Sequence, residues 1–281
     1  MQIIDIGTGP PVILIPGVQG RWEWMRPAVD ALASGCRVIT FSLADEPTSG
    51  APFDETTGFY SYVDQVRAVM DALELKEAAI CGVSYGGLIA ATFAARFPER
   101  TSSLVLVSAM PPSWRPDRRV SFYLRAPRLL SPLFLAGSIR LHREVAAANG
   151  GMVSGIRASI GHGWNALRHM FSPLRMSRRI ELLSTASLAG QISTTRCPVL
   201  IVTGDESLER VMPVQRTLEY TALLPQAQVA TLARTGHLGL ITRPAAFAAI
   251  VIPFVEQTAG RVLSGSNRIR PMEPAPRRNV G

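Results

Sequence analysis

The sequence predicts an α/β fold, a mostly parallel central sheet with helices on both faces and an inserted helical cap. Three observations predict it. Short, continuously apolar runs alternate with stretches at helical spacing, the pattern of strands buried on both faces and joined by helical crossovers. The alternation stops near Pro111 and resumes only near residue 186. Glycine-rich turns directly follow two of the apolar runs, where right-handed crossovers gather the loops on one sheet edge.

The elements follow in order. Residues 12–15 read as a buried strand, then come a glycine-rich loop and a helix over about 24–33. Residues 37–41 form the next strand. Val63, Val66, Val69, Met70 and Leu73 recur at helical spacing, which predicts a helix over about 60–73. A strand at 78–81, a helix at 87–97 and a strand at 104–107 complete the first half. Residues 111–185 contain no strand-like run and are punctuated by Pro116, Pro127, Pro132, Gly137 and Pro173, so they are expected to form the cap. Strand 199–202, helix 214–223, strand 228–232 and helix 245–255 then close the core, which is expected to comprise 1–110 and 186–260. Residues 261–281 are poor in apolar side chains and read as a disordered basic tail.

Composition narrows the function. The 281 residues are 47% hydrophobic and 18% charged, with a net charge of +8, a globular balance. Lys76 is the only lysine. The positive charge concentrates between Trp114 and Arg179, where twelve arginines face only Asp117 and Glu144. Phe122, Leu129, Leu130, Leu133, Phe134 and Leu135 interleave with them. The favoured reading is a solvated outer face on helices that cover a site. An acidic substrate or anionic lipid surface is the less favoured one, and nucleic acid is not expected. Cys36, Cys81 and Cys197 are too scattered for a disulfide framework, and no CxxC pair suggests a metal. No cofactor is expected. With no leader pattern at its start and no membrane-length apolar run, the chain is expected to be cytoplasmic.

The chemistry points to Gly82-Val83-Ser84-Tyr85-Gly86-Gly87. This segment stands between an apolar strand and an apolar helix. There a G-x-S-x-G sequence forms a tight turn that lifts the serine oxygen and aims the helix N-terminus at developing negative charge. A serine needs a base. His142, His162 and His169 lie in the expected cap, whereas His237, in Thr235-Gly236-His237-Leu238-Gly239, follows the last strand on the same edge as Ser84. A carboxylate that orients the imidazole is expected after strand 199–202, where Asp205, Glu206 and Glu209 stand.

These residues, in the order serine, acid, histidine, resemble the α/β-hydrolase family over about residues 13–255. The resemblance implies a serine hydrolase of esterase or lactonase type. It also picks Glu209, because Glu209-Arg210-Val211-Met212-Pro213 occupies the place of the family's Asp-Arg-x-Val-Pro pattern, with glutamate replacing the commoner aspartate. Asp205, nearest the strand end, stays open as the alternative, since the loop carries extra residues relative to the family. The loop Ile15-Pro16-Gly17-Val18-Gln19-Gly20 stands where relatives carry His-Gly-x, with Pro16 in place of the histidine. By that pattern the backbone amides of Val18 and Tyr85 form the oxyanion hole. Trp22 and Trp24 read as packing residues. The expected reaction is hydrolysis of a small-molecule ester or lactone through an acyl-enzyme. Carbon–carbon bond hydrolysis of a diketone, or ligand binding without catalysis, are the alternatives.

Overall fold

The computed structural model describes residues 1–130, 142–148, 172–183, 186 and 188–265. Its centre is a seven-stranded sheet in the order β1-β3-β2-β4-β5-β6-β7. The strands are β1 (Ile4–Ile6), β2 (Pro11–Ile15), β3 (Arg37–Thr40), β4 (Ala78–Val83), β5 (Thr101–Val107), β6 (Val199–Thr203) and β7 (Gln228–Thr231). Only β1 runs antiparallel to its neighbour; every other pairing is parallel.

Alternation along each strand divides the core in two. Ile13, Ile15, Ile80, Leu104, Leu106 and Ile201 face one side. They meet α2 (Tyr60–Ala72) and α3 (Tyr85–Arg96), which contribute Tyr62, Val66, Val69, Leu88, Ile89 and Phe93. Val12, Leu14, Ala79, Cys81, Val105, Leu200 and Val202 face the other. There they pack on α1 (Arg26–Leu32) and the C-terminal helix Pro244–Gly265. Both faces are covered, so both side-chain sets must be apolar, which explains the continuous runs. Each Val, Leu, Ile or Phe among them contributes roughly 1.5–3 kcal/mol by leaving water.

The strand order positions the site. From β2 the chain moves outward to β3, then crosses back over β2 to β4. Loops after β2 and β4 therefore leave in opposite directions, and a crevice opens between them at the strand C-termini. The loop from Pro16 to Gly20 and the turn at Ser84 are those two loops.

The described part of 111–185 contains the helices α4 (Arg118–Arg125), α5 (His142–Ala148) and α6 (Pro173–Leu182). Asp117 caps α4 by accepting from the Val120 N–H at 2.7 Å, and Ser172 caps α6, with Pro173 in its first turn. Residues 131–141, 149–171 and 184–185 of the expected cap, including His162 and His169, lie outside the described residues. The short α7 (Ala189–Ile192) leads back to the sheet.

The structure corrects several expectations. Strand β1 was not legible, because three residues carry no usable period. It forms by pairing with β3, with Asp5 and Arg37 2.7 Å apart. The expected helix 214–223 is two pieces, α8 (Val214–Leu218) and α9 (Tyr220–Leu223). After α10 (Gly239–Thr242), the last helix, α11, runs from Pro244 to Gly265 and so passes the expected start of a disordered tail at 261. Buried Val251, Phe254, Val255 and Thr258 hold its middle to the sheet, and Pro253 does not end it. Residues 266–281, the rest of that expected tail, lie outside the described residues. The three cysteines are unpaired. Among the described residues no helix is long and apolar enough to cross a membrane.

Candidate active site

Ser84 stands between the end of β4 and the start of α3 with φ +53° and ψ −115°. A side chain rarely adopts this conformation, and holding it costs on the order of 1–3 kcal/mol. The surroundings enforce it. The Ser84 N–H donates to the Val107 carbonyl at 2.9 Å, and the Ser84 carbonyl accepts from the N–H groups of Gly87 and Met110, both at 3.0 Å. A side chain on Gly82 would overlap the Gly86 carbonyl, and one on Gly86 would overlap the carbonyls of Ile15 and Pro16. The two glycines are therefore needed for close approach of backbone to backbone.

The loop after β2 lies directly against this turn. A Cβ on Gly17 would sit 3.5 Å from the Ser84 Cβ. Among the described residues the N–H groups of Val18 and Tyr85 donate to no backbone carbonyl. Tyr85 opens α3, where the first N–H groups have no helical acceptor.

Arg179, on α6, holds the same loop from behind. Its side chain is fully buried, and it donates to the Val18 carbonyl at 2.7 Å, Asp45 at 2.7 Å and Glu46 at 2.6 Å. A side chain on Gly20, which has φ +77°, would overlap the guanidinium. At Arg179 alone this corrects the reading of the arginines as a solvated face: it is an internal clamp, whereas Arg115, Arg118, Arg119, Arg125, Arg128, Arg143 and Arg178 are exposed. Arg179→Ala takes the nearest donor from the buried Glu46, the half-buried Asp45 and the Val18 carbonyl, leaving Glu46 only a 3.9 Å contact with Arg175. It is expected to cost about 3–5 kcal/mol of stability, measured by urea unfolding. Lysine cannot reproduce the three-way contact, so Arg179→Lys is expected to restore less than half of the loss.

His237 follows β7, and its Nδ1 lies 3.5 Å from Oε2 of Glu209. That is ion-pair distance once the imidazole is protonated, and longer than an ordinary hydrogen bond. Neither atom has another hydrogen-bond partner among the described residues. The other oxygen of Glu209 accepts from the N–H groups of Val211 and Met212 at 2.7 and 2.9 Å, which fixes the carboxylate. Asp205 turns elsewhere. It accepts from the Arg234 N–H, and its own N–H donates to the Thr235 carbonyl. Of the acids left open by the sequence, Glu209 is the one set against the imidazole, while Asp205 braces the loop that carries it. Glycines allow the two loops to touch, since a side chain on Gly204 or Gly236 would crowd the opposing backbone.

Ser84 and His237 lie on the same sheet edge. His237, Val107 and Ser108 line one small cavity, and Val107 is the residue whose carbonyl holds the Ser84 N–H. Both candidate residues are buried, each at 7% exposure. Burial pushes the His237 imidazole down, but the charge of Glu209 set against Nδ1 and the charge of Glu144 outweigh it. The imidazole is held above its ordinary pKa. Burial pushes Glu209 up, but His237 and the two amides outweigh that and hold the carboxyl below its ordinary value. A separate groove of about 670 Å³ is lined by Thr56, Tyr60, Asp64, Arg96 and Gln191, among others, and touches none of these residues.

Glu144 was not foreseen as part of the site. It sits on α5, is fully buried, and accepts from the Leu238 N–H at 2.6 Å. The only hint in the sequence was an acid in an arginine-rich stretch.

A parallel sheet with a strained serine at its switch point and a histidine–carboxylate pair on the same edge defines an α/β-type hydrolase. The model of the alpha/beta hydrolase family matches residues 12–250, and the chain belongs to that family. It is 28% identical over 270 residues to 2-hydroxymuconate semialdehyde hydrolase of Pseudomonas sp. (strain CF600), covering 92% of each chain. It is 27% identical over 261 residues to 2-hydroxy-6-oxo-2,4-heptadienoate hydrolase of Pseudomonas putida F1, covering 89% of this chain and 91% of that one. Among solved structures, the fold is similar to an esterase from Exiguobacterium antarcticum with a TM-score of 0.74 at 18% identity, covering 90% of this chain and 94% of that one.

Proposed function

We propose that the protein is a serine hydrolase that cleaves a carboxylic ester or lactone of a small molecule through an acyl-enzyme. The observation that carries this reading is the pairing of His237 with the fixed carboxylate of Glu209, on the edge where Ser84 is held at positive φ. In this mechanism His237 takes the Ser84 proton as the oxygen attacks the carbonyl carbon. Glu209 keeps the imidazole oriented and stabilises its positive form. The amides of Val18 and Tyr85 receive the oxyanion. His237 then protonates the leaving alcohol, and water, deprotonated by the same imidazole, releases the acid and restores Ser84.

A fluorophosphonate probe tests this directly. Wild-type protein is expected to take one label, found by peptide mass spectrometry on Ser84, and Ser84→Ala none. A folded wild-type protein that stays unlabelled would instead make this a ligand-binding protein. The names of the two Pseudomonas relatives favour one further reading, hydrolysis of a carbon–carbon bond in a conjugated oxo-dienoate on the same residues. Turnover of 2-hydroxymuconate semialdehyde with little turnover of nitrophenyl esters and lactones would select it.

A further inference from the structure

We propose that Glu144 is a positioning residue for His237, holding the histidine loop to the α5 segment and setting a second carboxylate beside the imidazole. The inference rests on the assignment of His237 as the general base. Glu144 Oε1 accepts from the Leu238 N–H at 2.6 Å. Gly236 lies against the same carboxylate and its N–H adds to the pull on it, so Glu144 meets the backbone on both sides of His237. Gly236 leaves room for it, since a Cβ there would lie 3.0 Å from Glu144 Oε2. That second oxygen is buried and has no hydrogen-bond partner among the described residues.

A neutral amide oxygen would latch the Leu238 N–H without burying a charge, so the latch alone does not explain a carboxyl. Its electrostatic neighbours do. His237 and Glu209 are the titratable groups that act on it. Arg143, on the same helix, is exposed, and so is Arg234 in the histidine loop. The α10 helix packed against α5 contributes no ionisable side chain. Burial pushes the Glu144 carboxyl up, against the pull of the two amides and His237, to about 7. Once ionised, it favours the imidazolium that forms when His237 takes a proton. Glu209 faces Nδ1, while Glu144 acts through the loop backbone and by its charge.

Glu144→Gln keeps an acceptor for Leu238 and removes the charge, whereas Glu144→Ala removes both. Three readouts apply: nitrogen-15 NMR titration of the His237 imidazole, the pH profile of kcat/KM on a nitrophenyl ester, and thermal unfolding at several pH values. In Glu144→Gln the imidazole pKa and the acid limb of the profile are expected to fall together by about half a unit or more. The folded pKa of Glu144 is raised, so its contribution to stability is full at acid pH and is lost as pH rises through about 7. Glu144→Gln is therefore expected to gain Tm relative to wild type above that pH. Glu144→Ala is expected to lose about tenfold or more in kcat/KM, with the glutamine variant retaining most of it at alkaline pH.

An unchanged imidazole titration in both folded variants would overturn the proposal and leave Glu144 a structural strut. So would a Glu144→Gln protein that loses stability at high pH. The NMR titration needs no turnover. If it shifts as expected while Ser84→Ala retains wild-type activity, the hydrolase reading fails and the positioning of His237 stands.

Discussion

Ser84→Ala is expected to lower kcat/KM on an activated ester by roughly 10⁴–10⁶-fold while leaving the fold intact. The substitution removes one oxygen and keeps the Cβ, so the turn at φ +53° carries the same strain in both proteins. Its backbone bonds to Val107, Gly87 and Met110 do not involve the side chain. Stability is therefore expected to change by no more than about 0.5 kcal/mol, by urea unfolding. Ser84→Gly is expected to lose the same activity yet gain about 1 kcal/mol, because glycine adopts positive φ freely. A serine variant that is both more stable and inactive would mark the strain as serving chemistry. Activity within tenfold of wild type in Ser84→Ala would remove the nucleophile from the mechanism.

Glu209→Gln is expected to cost about 10³–10⁴-fold in kcat, and Asp205→Asn no more than a few-fold. The contrast follows from where the two carboxylates point, one at Nδ1 of His237 and the other at the Arg234 N–H. An amide at 209 offers a nitrogen or a dipole where a negative charge is needed, so the imidazolium loses its partner. His237 is held above its ordinary pKa chiefly by Glu209 against burial. Glu209→Gln is therefore expected to move the acid limb of the pH profile downward. The same pair governs stability. The raised His237 contributes stability that is present at acid pH and lost as pH rises through its folded pKa. The depressed Glu209 contributes stability present above the ordinary carboxylate range and lost as pH falls through its folded value. The pair is strongest between those limits, and Glu209→Gln is expected to narrow the Tm difference from wild type at both ends. Equal loss of turnover in the two variants would show that loop geometry, not the Glu209 charge, is what matters.

The doubly covered sheet was legible because burial on both faces demands continuous apolar runs, and Val12, Ile13, Leu14 and Ile15 supply one. The turn at Ser84 was legible because a tight strand-to-helix bend needs glycine at fixed offsets, at Gly82 and Gly86. Both are local constraints written over a few neighbouring positions. Which acid meets His237 is a different kind of question. Asp205 and Glu209 lie four residues apart on one loop, and only the folding of that loop against Gly236 turns one to the imidazole and the other to Arg234. Arg179 and Glu144 belong to the same class. In the sequence each is a charge among arginines, with nothing to tell a buried clamp from a solvated one. Their roles arise from contacts across 161 and 94 positions of chain, with Val18 and Leu238. Charge burial is decided by what packs over a residue, and that is a property of the assembled fold.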